Sequence, residues 1–271
     1  ISVYGNKFTE TGDSAICLVG DKFRSVGSNK PYPAENVISN NLIHDCGIFG
    51  RQIAGVFYSI SVSNVIAHNH MYNLPRAGIE MNDCFGGGHV IEFNRIHDTD
   101  RETSDHGSFN SWGRERYWCL SHAHGPASHA AGSKYLGTDM RADAKYTTII
   151  RNNFFREKVE WTIDLDDGSS NFHIYNNLSI GAGIKLREGD YRTVENNIMY
   201  YPKNQPGFQV PYEDSHDIFR RNIIVTAVTP PPESGMEKVR PAVGSDPGDI
   251  YAVVWPPLKG KMAQEINYNL F

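Results

Sequence analysis

No stretch of this 271-residue chain approaches the run of about 18 apolar residues that a membrane-spanning helix needs. Positive charge is not in excess either. Lys and Arg number 26 against 31 Asp and Glu, a formal net charge of −5 that removes the electrostatic case for nucleic acid or an anionic membrane as partner. The four cysteines, Cys17, Cys46, Cys84 and Cys119, contain no CxxC pair, so metal-type spacing is absent. Cys46 and Cys84 each follow an Asp and are expected at similar coil positions as stacked core thiols rather than a disulfide. A signal-peptide pattern is missing, because Ile1 opens directly into a strand-like segment; a mature protein or a piece of a longer chain is expected. Hydrophobic residues reach only 39%, too few for a thick helical core, while 25 Gly and 14 Pro supply many turns. The balance suits a repetitive β architecture around a narrow core.

A repeat is there. Two apolar or β-branched residues, two variable ones, an Asn and an apolar residue recur as VISNNLI (37–43), VIAHNHM (65–71), VIEFNRI (90–96), IIRNNFF (149–155), HIYNNLS (173–179), TVENNIM (193–199) and IFRRNII (218–224). A first copy, SVYGNKF, opens the chain. The tags are Asn6, Asn41, Asn69, Asn94, Asn153, Asn177, Asn197 and Asn222, at intervals of 35, 28, 25, 59, 24, 20 and 25. Most intervals fit one solenoid coil, and 59 is two coils or one coil with a long insertion. Asn at the bend suits left-handed backbone angles, and amides stacked on coils about 4.8 Å apart form an interior ladder. A looser strand follows each tag, as in AGIEMND (77–83), WTIDLDD (161–167) and AGIKLRE (182–188), its apolar residues alternating with polar ones. The expected fold is all-β, a right-handed parallel β-helix of about nine to eleven coils. It forms a single domain over 1–271, with an insertion at about 98–146 and a Pro-rich excursion at about 226–262.

Solenoids carry function on insertions and on one face of the stack. DHGSFNSWGRERYW (105–118) is rich in aromatic and basic residues, and His106, Trp112 and Arg114 there suit a sugar subsite. His122, His124 and His129 lack the spacing of a metal site, so no resident metal is assigned. His68 and His70 flank Asn69 and either line a cleft or fill ordinary polar strand positions.

Aligning IDLDDG (163–168) with IKLREG (184–189) places the two on adjacent coils, 21 residues apart. Ile163 and Leu165 then face inward, while Asp164 and Asp166 face outward beneath Lys185 and Arg187, and Asp167 stacks under Glu188. Glu80 and Asp83 occupy matching places further along, completing an acidic stripe. Glycoside cleavage needs one protonated and one ionised carboxyl, about 5–5.5 Å apart in retaining enzymes and about 6.5–9.5 Å in inverting ones. Adjacent coils supply the shorter spacing. The same stripe also suits a polysaccharide lyase with calcium and Lys185 or Arg187 as base, or a solenoid that only binds carbohydrate.

DHGSFNSWGR, IDLDDGSSNFHIYNNL and GIKLREGDYRTVENNI together resemble bacterial right-handed β-helix carbohydrate-active proteins similar to glycoside hydrolase families 120 and 141, over roughly residues 36–224. The resemblance implies Asp166 or Asp167 as nucleophile and Glu188 as acid/base. The expectation is a secreted or periplasmic glycoside hydrolase acting on a plant or algal polysaccharide or oligosaccharide. Asp164, His106, Trp112, Arg114, Lys185, Arg187, Glu80 and Asp83 contact the sugar. No cofactor is assigned, with calcium left open for the lyase alternative. The partners expected are the carbohydrate and the remaining segments of a longer chain or another subunit.

Overall fold

The computed structural model describes residues 1–21, 32–113, 141, 143–158, 161–201, 207–209, 214–226, 251–253, 263–267 and 269–270, without the side chains at 83, 84, 201, 207–209, 226 and 251–253. The described residues are all β. They form three long parallel sheets, of nine, eight and eight strands, consistent with a parallel solenoid. Each coil contributes one strand to each sheet in turn. For example, Val90–Glu92 joins the first sheet, Arg95–His97 the second and Gly107–Trp112 the third.

The core is built from columns of side chains stacked coil upon coil, so few apolar residues per coil suffice. On the first sheet, register stacks Ile38, Ile66, Ile91, Ile150, Ile174, Val194 and Phe219 in a single column. All seven are buried. Each such side chain contributes about 1.5–3 kcal/mol through the water it leaves. The third sheet sends in two columns, one running Ile16, Val56, Ile79, Phe109, Ile163 and Ile184.

The eight tags form one continuous ladder, and Asn269 extends it by a further rung, with Nδ2 to Oδ1 distances of 3.0–3.2 Å. Each internal amide oxygen also accepts the backbone N–H of the previous tag, as Asn94 does from Asn69 at 3.0 Å. Its second amide hydrogen goes to a carbonyl one coil back, as Asn94 Nδ2 does to Ile66 O at 2.8 Å. The 59-residue interval is therefore one rung, because Asn94 bonds Asn153 directly at 3.1 Å.

Three expectations are corrected. The left-handed residue at each bend is not the tag but the one before it: Gly5, Asn40, His68, Phe93, Asn152, Asn176, Asn196 and Arg221 all have φ between 54° and 70°. A ladder amide needs regular backbone to aim both its ends, so the bend falls one position earlier. Residues expected inside an insertion from about 98 include Gly107–Trp112, which is a full strand of the third sheet. Cys46, buried and free, follows the second-sheet strand Leu42–His44, whereas Cys84 lies within the third-sheet strand Ala77–Gly87, so the two are not equivalent. Cys119, His122, His124, His129 and the heart of the Pro-rich excursion lie outside the described residues.

Candidate active site

The outward positions of the third sheet line up in two columns. One runs Phe57, Glu80, Asn110, Asp164 and Lys185; the other runs Ser59, Asn82, Trp112 and Asp166. Arg187 N bonds Leu165 O at 2.7 Å, which carries the register past the strand end Leu186 and puts Arg187 beside Asp166. The equivalence of IDLD with IKLR is thus the real one. Ile163 and Leu165 enter the core as expected.

Most of the first column does not face water, however. Glu80, Asn110, Asp164 and Lys185 are at most 3% exposed. Buried polar groups persist only where they are paired, and here they form a chain. Arg76 Nη2 lies 3.1 Å from Glu80 Oε1 and 3.4 Å from Asn110 Oδ1, and Asn110 Nδ2 donates to Asp164 Oδ2 at 3.2 Å. Lys185 Nζ then meets Asp164 at 3.1 Å, Asp105 at 3.0 Å and Asp166 at 3.2 Å.

A second cation closes the cluster. Arg187 Nε lies 2.9 Å from Glu188 Oε2 and 3.5 Å from Asp167 Oδ1, and its Nη1 lies 3.4 Å from Asp166 Oδ1. Asp167 and Glu188 are therefore joined through a guanidinium rather than facing each other bare. Behind them, Arg192 is fully buried against Asp217, with Nη2 to Oδ2 at 2.6 Å, and its Nη1 donates to the carbonyl of Arg187. Gly189 lets these turns approach, because a Cβ there would meet Ser169 O at 2.3 Å.

Burial sets the protonation pattern. It raises the Glu80 carboxyl, against Arg76 and a hydrogen bond from Trp112. It raises Glu188 too, with Asp167 and Asp166 adding to the effect and Arg187 opposing it. Asp164 is pushed well above the ordinary aspartate value by burial, against Lys185. Lys185 loses affinity for its proton through burial, yet Asp164, Asp166 and Asp105 outweigh that and raise it. Three carboxylates around one ammonium leave surplus negative charge, which adds to burial in raising Asp164 and outweighs burial in raising Lys185. His106 is lowered to about 4 by burial and by Arg76, which leaves it neutral.

The structure thus brings together Glu80, His106, Trp112, Asp164, Asp166, Asp167, Lys185, Arg187 and Glu188. Trp112 is a strand residue whose indole bonds Asn82, not a loop aromatic. Asp83 lies in the strand Ala77–Gly87, but its side chain is outside the described part, and Arg114 lies outside the described residues. Sequence reasoning missed Arg76, Asp105 and Asn110. Arg76 and Asp105 precede the strands they serve and fall outside any alternating pattern, while the signal for Asn110 was weak because Gly107–Trp112 carries Ser111 at an inward position, where its hydroxyl meets Ser169 Oγ at 3.0 Å. A polar core residue erases the two-residue hydrophobic period that marks a strand. Compared with family models, curated proteins and solved structures, the chain matches none of them.

Proposed function

We propose that this chain is a glycoside hydrolase of the extracellular or periplasmic space, cleaving a plant or algal polysaccharide or oligosaccharide at the outer face of the third sheet. The observation that carries this reading is Glu188, a buried carboxyl with raised proton affinity, next to the partly exposed Asp166 and the buried Asp167. In such a pair the raised group protonates the glycosidic oxygen, while an ionised aspartate attacks the anomeric carbon or deprotonates a water. Residues opposite each other on adjacent coils are about 4.8 Å apart, close to the ~5–5.5 Å of retaining pairs. Arg187 neutralises part of the negative charge this crowding creates. The lyase alternative fits less well, since a base must begin deprotonated and both Lys185 and Arg187 are shifted the other way. Calcium fits poorly too: the carboxylates are already engaged by cations, with Lys185 Nζ at the point where Asp105, Asp164 and Asp166 meet, and among the described residues no group of three or more acidic, His or Cys side chains is arranged to hold a metal ion.

The test is a panel of aryl glycosides and polysaccharides with wild type, Asp166→Asn, Asp167→Asn and Glu188→Gln, with folding checked by circular dichroism. Glu188→Gln is expected to lose about 10²–10⁴-fold in kcat on natural linkages and much less on nitrophenyl glycosides, whose leaving group needs little protonation. One aspartate variant should lose activity on both substrate types. Full activity in Glu188→Gln removes it as the acid. If sugars bind but none is turned over, the chain is a binding solenoid.

A further inference from the structure

The outer face of the second sheet carries a separate cluster. Strands Leu42–His44, His70–Tyr72 and Arg95–His97 stack in register, so His44, Tyr72 and His97 share one column while Leu42, His70 and Arg95 share the next. The first column is a nearly parallel ring stack, with centroids 4.8 Å apart for His44–Tyr72 and 5.3 Å for Tyr72–His97. His70 leans across from its own column, so its Nε2 lies 2.9 Å from His97 Nε2. Both rings are half-buried.

Two imidazole nitrogens at that distance need one proton between them. His97 Nδ1 sits 2.7 Å from Asp98 Oδ2, which places the His97 proton on Nδ1 and leaves the Nε2 lone pair aimed at His70. Asp98 is itself anchored, by Arg156 at 2.6 Å and Lys158 at 2.9 Å. A carboxylate that orients an imidazole through its far nitrogen is the support that metal-ligating histidines use. The stacked Tyr72 ring restrains the same imidazole from the side.

We propose that His70 and His97 form a two-imidazole chelate for a divalent transition ion of the Cu²⁺ or Ni²⁺ type. With imidazole–metal bonds of roughly 2.0–2.1 Å, a 2.9 Å separation of the nitrogens gives an angle at the metal of about 90°. That is the cis angle of a square-planar or octahedral ion, narrower than tetrahedral zinc prefers. On binding, the ion takes the place of the shared proton; His70 moves its proton from Nε2 to Nδ1, and both Nε2 lone pairs face the metal. Since no third His, Cys or carboxylate converges among the described residues, the other coordination positions fall to water. The site is on a different sheet from the carboxylate cluster and does not depend on the sugar reading.

Cu²⁺ is the probe, titrated into chelator-treated full-length protein by calorimetry and followed by electron paramagnetic resonance. One equivalent should bind per chain, with a tetragonal spectrum showing nitrogen coupling. His70→Gln and His97→Gln should each weaken it at least tenfold with an unchanged circular dichroism spectrum. Asp98→Asn should weaken it about 10–100-fold, an effect that adventitious surface histidines would not show. His68→Gln, at an exposed bend residue stacked on Phe93, should leave affinity unchanged, as should His122→Gln/His124→Gln/His129→Gln. No bound equivalent, or affinity indifferent to both His70→Gln and His97→Gln, overturns the proposal.

Discussion

At the scale of single residues, the ladder asparagines carry most of the structural argument. Asn94 accepts from Asn69 N and Nδ2, and donates to Ile66 O and Asn153 Oδ1, with every partner buried. Removing it orphans several polar groups at once, each worth about 1–3 kcal/mol. Asn94→Ala should therefore lower unfolding stability by at least about 3 kcal/mol in a urea titration. Asn6→Ala, at an exposed end rung, should cost about 1 kcal/mol. Equal effects at the two positions would mean the ladder is not a buried network. The tag was legible in sequence as a repeated letter. Its four-bond geometry was not, because each bond reaches a neighbouring coil.

At the scale of the element, bends separate what a residue wants from what the fold requires. Asn40, Asn152, Asn176 and Asn196 take the left-handed region readily, but Phe93 and Arg221 occupy it against their preference. Phe93 is compensated by stacking on His68, with ring centroids 5.0 Å apart. Arg221 is exposed, and among the described residues no ring contact of that kind holds it. Arg221→Asn should thus stabilise the chain by about 0.5–1 kcal/mol, read as a higher midpoint of thermal or urea unfolding. An unchanged or lower midpoint would show that Arg221 contributes more than its backbone conformation costs. Strand Gly107–Trp112 teaches the converse lesson. Its neighbours supply enough register and core contact that one Phe and a bonded Ser suffice where sequence patterning asks for alternating aliphatics.

At the scale of the whole molecule, the stack buries groups that water would otherwise charge. His89 is fully buried, and its Nδ1 accepts from Asn64 N at 3.3 Å, continuing a shorter ladder that runs from Asn36 through Asn64. Burial lowers its pKa from the ordinary 6.5 to about 3, against a hydrogen bond to the Ser61 backbone. The folded state thus binds this proton more weakly than the unfolded chain does. Its contribution is complete above pH 6.5 and declines as pH falls from there toward about 3. Wild type should lose stability between pH 7 and pH 5, at up to about 1.4 kcal/mol per pH unit for this one group below its unfolded pKa. His89→Asn should show a shallower slope over the same interval in denaturant titrations; an identical slope would shift the acid sensitivity to other groups.

What the sequence determined by itself is the period. Asn tags and apolar doublets are local in the chain, and coils of one backbone width stack in only one register, so the parallel strands and the pairing of Asp164 with Lys185 could be read directly. What only the tertiary structure decided is the environment of the outward residues. Alternation says which side of a sheet a side chain leaves from, but not whether other groups cover that side. Arg76, Asp105 and His106 come from turns around the third sheet. With them in place, the outward-facing acidic stripe became a buried cluster in which desolvation, more than neighbouring charge, sets the proton affinity of Glu80, Asp164 and Glu188.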